Sequence, residues 1–265
     1  MGTVSNIARA PRRRNRPLTR LAVAVAIALA AIPAAAADLS ILSGGAAKSG
    51  LGAMLPAFET QSGHRAKPDY APVGKIMTLL AEGATPDVIV LTADVLAEAT
   101  AKGYVAADTA TEVGRVGIGL AVKSGAAKPD ISTPDTFKAT LLAAKSIVMI
   151  DPKTGTSGKH LAKVFADLGI ADALAAKTTT MQGGFVVEKV AAGEIEVGLH
   201  QMTEMLPVAG ITIVGPLPPS LQKVTVYIAV AGAKAKQPEA VRAFLAALKT
   251  PEARAAIVKQ GYEVK

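Results

Sequence analysis

From residue 39 onward, short apolar runs alternate with stretches whose apolar residues recur every three or four positions. LSIL at 39–42 precedes residues 46–61, where Leu51, Met54, Leu55 and Phe58 mark one helix face. Residues 65–70 read as a weak strand, 74–82 as a helix, and DVIVL at 87–91 as a fully buried strand. The alternation continues with a strand at 116–122, helices at 136–144 and 158–168, and the strand IVMI at 147–150 between them. A helix at 186–192, strands at 197–200, 211–214 and 223–230, and a helical region from 238 to about 260 complete it. This succession predicts βαβ units, hence an α/β fold of parallel-rich sheets flanked by helices.

Two interruptions divide the pattern. The proline-rich GPLPPS ahead of 223 and the small-residue segment 122–129 are where few contacts should cross. They predict two lobes with a cleft between them: 38–121 together with 223–265, and 122–222. No internal repeat or heptad array is visible.

Charge changes the picture at the N-terminus. Arg9, Arg12, Arg13, Arg14, Arg16 and Arg20 precede an apolar run of twelve, Leu21 to Ile32, and then PAAAA. A basic region, a short apolar core and a small-residue end predict a cleavable export signal over 1–37, and so a periplasmic protein. Twelve residues fall short of the roughly 20 a bilayer span needs. NRPLTR lacks the apolar residue that usually follows a twin-arginine pair, and the export route stays open. The chain has 29 basic and 21 acidic residues, but six of the arginines and no acid lie before Asp38, leaving 23 against 21. The high isoelectric point therefore belongs mostly to the leader and does not indicate nucleic-acid binding. With no cysteine there is no disulfide, thiolate metal site or cysteine nucleophile. No Trp and 3% aromatic residues leave little for a sugar-stacking pocket.

Candidate chemistry concentrates in strand-to-helix turns. DPKTGTSGKH at 151–160 fails as a phosphate loop, since the first glycine position is Lys153 and the hydroxyl position is His160. A glycine-rich turn into a helix still directs free N–H groups and a positive dipole end at one point, which suits an anion. Three companion turns share this character: Ser43, Gly44 and Gly45; APVGK with Lys75; and the strand end carrying His200, Gln201 and Thr203. Gln182-Gly183-Gly184 is a weaker fifth. The expected ligand contacts are Ser43, Gly44, Gly45, Lys75, Thr156, Ser157, Gly158 and Gln201, with Ser43 and Ser157 foremost. The histidines, His64, His160 and His200, have no metal spacing, and neither a G-x-S-x-G nor an H-E-x-x-H motif occurs. No metal and no cofactor are expected. A serine-based triad is spatial and is not visible at this level.

DLSILSGGAAKSGLGAMLPAFETQSGHRA, GATPDVIVLTADVLAEATAKGYV and GIGLAVKSGAAKPDISTPDTFKATLLAAKSIVMIDP together resemble the extracellular solute-binding proteins of the molybdate-binding type. The resemblance spans essentially the whole chain after the leader. It implies the two-lobed type II periplasmic binding fold, hinge closure on a small anion, and delivery to an inner-membrane ABC permease. Such proteins usually present serines in the first two turns. Ser43 matches, whereas APVGK carries none, and Lys75, Lys159 and His160 add positive charge. The later half, GGFVVEKVAAGEIEVGLHQMTEMLPVAGITIVGPLPPSLQKVTVY, is similar to periplasmic aconitate isomerases, enzymes on the same fold. That similarity implies a tricarboxylate ligand and an allylic proton shift, for which His160, His200 and Asp151 are the candidate bases. The sequence reading is thus a binding protein for a small oxyanion or carboxylate, with the isomerase as alternative, expected to be monomeric and to have no nucleic-acid partner.

Overall fold

The computed structural model describes residues 1–3 and 36–264, so nearly all of the expected export segment, 1–37, lies outside the described residues. The chain opens with β1 (Asp38–Gly44), a 3-10 turn (Gly45–Ala47), α1 (Lys48–Ser62), β2 (Arg65–Ala71), α2 (Val73–Ala81), β3 (Val88–Thr92), α3 (Ala93–Ala101) and β4 (Val105–Val116). It continues with β5 (Ile118–Lys123), α4 (Pro134–Ala143), β6 (Ile147–Ile150), α5 (Thr156–Asp167), α6 (Ala171–Ala175) and β7 (Thr178–Met181). Then follow α7 (Glu188–Ala192), β8 (Val197–Gln201), α8 (Met202–Met205), β9 (Ile211–Pro216), β10 (Thr225–Gly232), α9 (Pro238–Ala247) and α10 (Pro251–Val258). No helix among the described residues is long and apolar enough to cross a membrane.

Two five-stranded sheets result, ordered β2-β1-β3-β10-β4 and β7-β6-β8-β5-β9. Each is evenly mixed instead of parallel-rich. β1 runs parallel to β2 and β3, and β6 to β7 and β8, whereas β10 and β5 oppose both of their neighbours. The reason is where these two strands come from. Each arrives from the other sheet and starts where the parallel strands end, Ile118 opposite Gln201 and Tyr227 opposite Thr92. A strand entering at that edge can only run back.

The apolar run at 116–122 hides the first passage. Val116 pairs with Thr225 in one sheet and Ile118 with Gln201 in the other, so the chain changes sheets at Gly117, ahead of 122–129. We place the lobes along the sheets, 38–116 with 225–264 and 118–216. The Gln222 side chain ties the two passages together, its Oε1 accepting from Ile118 N (2.9 Å) and its Nε2 donating to Ile118 O (2.8 Å). β4 is missing from the hydrophobic pattern because it is an edge strand rich in charge, with Arg115 and Glu112 paired on it. The C-terminal helical region is two helices, since Thr250 is extended and caps α10, and Pro251 cannot continue α9.

Each sheet covers its own apolar core. Leu39, Leu51, Ile89 and Phe244 are fully buried in one, and Phe137, Leu120, Leu161 and Leu199 in the other. At the far end of the first sheet Asp87 accepts from Ser40 N (3.0 Å), Ser40 Oγ (2.6 Å), Lys236 N (2.7 Å) and Gln237 N (3.2 Å). Burial alone would raise this carboxyl, but the hydrogen bonds from Ser40, Lys236 and Gln237 together hold it below its ordinary 3.8. The folded protein gives up that proton more readily than the unfolded chain. The stability gained is present above the unfolded value and is lost as pH falls through the depressed folded one. Asp87→Asn is expected to cost roughly 2 kcal/mol at neutral pH and to weaken the acid sensitivity. Urea denaturation at pH 7 and pH 3 checks this, and unchanged stability at pH 7 would sink it.

Candidate functional site

The carboxyl ends of the parallel strands of both sheets meet across one cavity of about 70 Å³, the place where open α/β sheets bind ligands. Gly45 follows β1, and Tyr70 to Val73 lead from β2 into α2. Ile150 ends β6, Gly155 to Ser157 open α5, and Gly183 and Gly184 follow β7. His200 and Gln201 end β8, Glu204 comes from α8, and Tyr227 from the start of β10. The two sides touch at a backbone hydrogen bond from Gly74 N to Thr154 O (2.9 Å). The Lys48 ammonium lies 5.0 Å from the Phe185 ring and 5.7 Å from that of Tyr70, within cation–π range.

The helices that open onto the cavity differ from the rest. The 3-10 turn into α1, α2 and α5 have no acidic residue in their first turns. The other described helices each carry one there: Asp94, Asp135, Asp172, Glu188, Glu204, Glu239 or Glu252. An acid at that position would compensate the positive end of the dipole and compete with a bound anion. Leaving it out at three convergent termini suits a negatively charged ligand.

One element runs against that trend. Ser157 Oγ lies 3.2 Å from His200 Nδ1, and His200 Nε2 lies 3.3 Å from Glu204 Oε2. All three residues are at least nine-tenths buried. The second contact lacks the alignment of a hydrogen bond, so His200 Nε2 is without such a partner. The other carboxylate oxygen, Oε1, faces Gly45, where a Cβ would come within 2.8 Å of it. Two phenols complete the wall. Burial, and then charge at Tyr262, pushes Tyr70 up to about 12. Tyr227 is also raised, by burial and then by the Glu204 charge. Both are neutral donors at physiological pH.

Of the eight expected contacts, Gly45, Thr156, Ser157 and Gln201 line this cavity. Ser43 is fully buried beneath it and donates to Gly44 O (3.1 Å), and Gly44 packs under the Tyr227 ring. Gly158 sits against the backbone of Ile150, and Lys75 is exposed away from the lining. Gly183 and Gly184, from the weakest turn, are on the wall.

Among the candidate bases only His200 is on the wall. His160 Nε2 contacts Leu221 O (2.7 Å), and with Lys159 it borders a neighbouring groove of about 370 Å³. Asp151 is occupied by Lys153 N (2.7 Å) and Gln182 Nε2 (2.6 Å). Glu204, Tyr70 and Tyr227 were not foreseen. The one trace of Glu204 in the sequence is its position four residues after His200.

Residues 39–263 match the model of a family described as bacterial extracellular solute-binding protein. An aconitate isomerase from Pseudomonas sp. is 34% identical over 246 residues, 89% of this chain and 93% of that protein. The periplasmic molybdate-binding protein of Azotobacter vinelandii superposes with a TM-score of 0.73 at 17% identity, covering 86% of this chain and 99% of its own. A sulfate-binding protein from Mycobacterium tuberculosis gives 0.70 at 16% identity, covering 85% and 86%. At such identities the two structures speak to the two-lobed α/β fold alone.

Proposed function

The chain belongs to the bacterial extracellular solute-binding protein family, and from that premise we propose that it is a periplasmic isomerase of a small tricarboxylate of the aconitate type. The observation that carries this reading is the buried His200–Glu204 pair on the wall of a cavity otherwise arranged for anions. A protein that only captures an oxyanion gains nothing from a desolvated carboxylate facing its ligand. Proton transfer at carbon, by contrast, needs a base held within about 3 Å. The 34% identity to an aconitate isomerase supports the same choice.

In the proposed reaction the substrate carboxylates lie against the free N–H groups that open α5 and the 3-10 turn. The His200–Glu204 pair takes a proton from the methylene carbon. The electron pair of that C–H bond forms the new double bond, and the old double bond's pair accepts a proton at the far carbon. The pair is then back in its starting state, with no atom gained or lost. Tyr70 and Tyr227, as neutral phenols, donate to the carboxylate oxygen on which charge builds during the shift. Ultraviolet absorbance of cis- or trans-aconitate with the purified protein tests this. Interconversion is expected, and no conversion over hours at micromolar protein would remove the reading.

A second reading, capture of a molybdate-type oxyanion or small carboxylate for an inner-membrane ABC importer, is favoured by the size of the cavity. About 70 Å³ is room for roughly five water-sized centres, closer to an oxyanion than to a tricarboxylate. For the larger ligand the lobes must stand further apart than the Gly74–Thr154 bond holds them. Thermal shifts with molybdate, sulfate, citrate and both aconitates separate the two, since a ligand at 100 times its Kd stabilises by about 2.7 kcal/mol.

A further inference from the structure

Two buried side-chain atoms among the described residues have no hydrogen-bond partner, and they belong to consecutive residues of the cavity wall: His200 Nε2 and Gln201 Oε1. His200 has Glu204 beside it. Gln201 has no such explanation, although buried polar groups are rarely left unpaired. Its amide contacts one protein group, Thr225 Oγ1, 3.1 Å from Nε2. Gln201 and Thr225 are 1% and 2% exposed. With Nε2 as donor in that contact, the buried acceptor of a wall residue is left unserved, and among the described residues the Thr225 hydroxyl has no other partner for its own proton.

We propose that the amide functions the other way round, with Thr225 donating to Oε1 and the Nε2 amino group turned to the cavity as a recognition donor for an acceptor oxygen of the ligand. The two ends of a primary amide are isosteric, so the exchange moves no neighbouring atom. It serves the orphaned acceptor, gives the hydroxyl proton a partner, and places two N–H donors where an anion is expected. Thr225 would then fix the orientation, acting as a positioning residue. The ligand class that follows is one offering carboxylate or oxyanion oxygens, whereas a ligand bound through its own N–H or O–H would need the opposite orientation. The inference rests on the cavity being an anion site and holds under either reading of the function.

The test uses trans-aconitate and molybdate as probes with the full mature chain. In ¹H–¹⁵N spectra the Gln201 side-chain NH₂ signal is expected to move downfield on saturation with whichever anion binds. Gln201→Ala is expected to weaken that binding about tenfold. Thr225→Val should weaken it several-fold in the parent but not in the Gln201→Ala background, where the amide it positions is gone. An NH₂ signal that stays in place at saturation, or a Gln201→Ala variant binding as tightly as the parent, overturns the proposal. So does a parent protein that binds neither probe. A parent that binds trans-aconitate without converting it ends the isomerase reading alone, and the amide result still stands or falls by itself.

Discussion

Glu204→Gln is expected to lower the turnover of cis- and trans-aconitate by about three orders of magnitude while KM stays level or falls. The amide keeps the shape and the Gly45 contact but cannot carry a proton. The loss should therefore fall on kcat, in the range of roughly 10²–10⁴ typical of a removed acid–base group. KM should not rise, because a negative charge has been taken away from an anionic substrate. His200→Gln is expected to follow the same pattern with a smaller loss, since it removes the imidazole 3.3 Å away and leaves the carboxylate. Steady-state kinetics by ultraviolet absorbance, with thermal unfolding as a check on folding, decides the matter. A Glu204→Gln enzyme within tenfold of the parent would mean that the proton moves through another group, with the His200 imidazole next in line.

Gly158→Ala is expected to destabilise the fold by about 3 kcal/mol or more. The added Cβ would stand 2.2 Å from Ile150 O and 2.9 Å from Ile150 C, both backbone atoms that cannot rotate aside. Relief requires parting α5 from β6, which also displaces Thr156 and Ser157 from the cavity wall. For a domain of this size the melting temperature should drop by roughly 2–4 °C per kcal/mol, so a fall of about 6–12 °C follows. Circular dichroism melting measures it, and a drop below about 2 °C would show that the helix and strand can separate freely. The glycine's contribution is close approach of helix to strand.

Alternation along the chain made most of the strands and helices legible, because runs such as VIVLT and IVMI are short, rich in β-branched residues and flanked by Pro or Asp, which favours a covered strand. What stayed hidden is long-range. Nothing in VGIGL says that its two halves belong to different sheets, since pairing partners lie about a hundred residues away. The site divides along similar lines. Thr156, Ser157, Gly45 and Gln201 sit in turns whose composition announces a strand entering a helix. Ser43 belongs to the same kind of turn, but strand alternation points its hydroxyl downward into the core. Glu204 went unread because a carboxylate contradicts an anion site until a reaction is considered. Tyr70 and Tyr227 resemble ordinary strand residues until the cavity is closed around them.

The grip of Gln222 on Ile118 has a mechanical consequence. Two separate tethers between the sheets would let one half slide, twist and tilt against the other. Holding both tethers to a single backbone unit, by bonds of 2.8 and 2.9 Å, makes the two passages turn together. Under the proposed isomerase reading, substrates of different length would be told apart by how far the two halves must stand from the arrangement in which Gly74 and Thr154 meet.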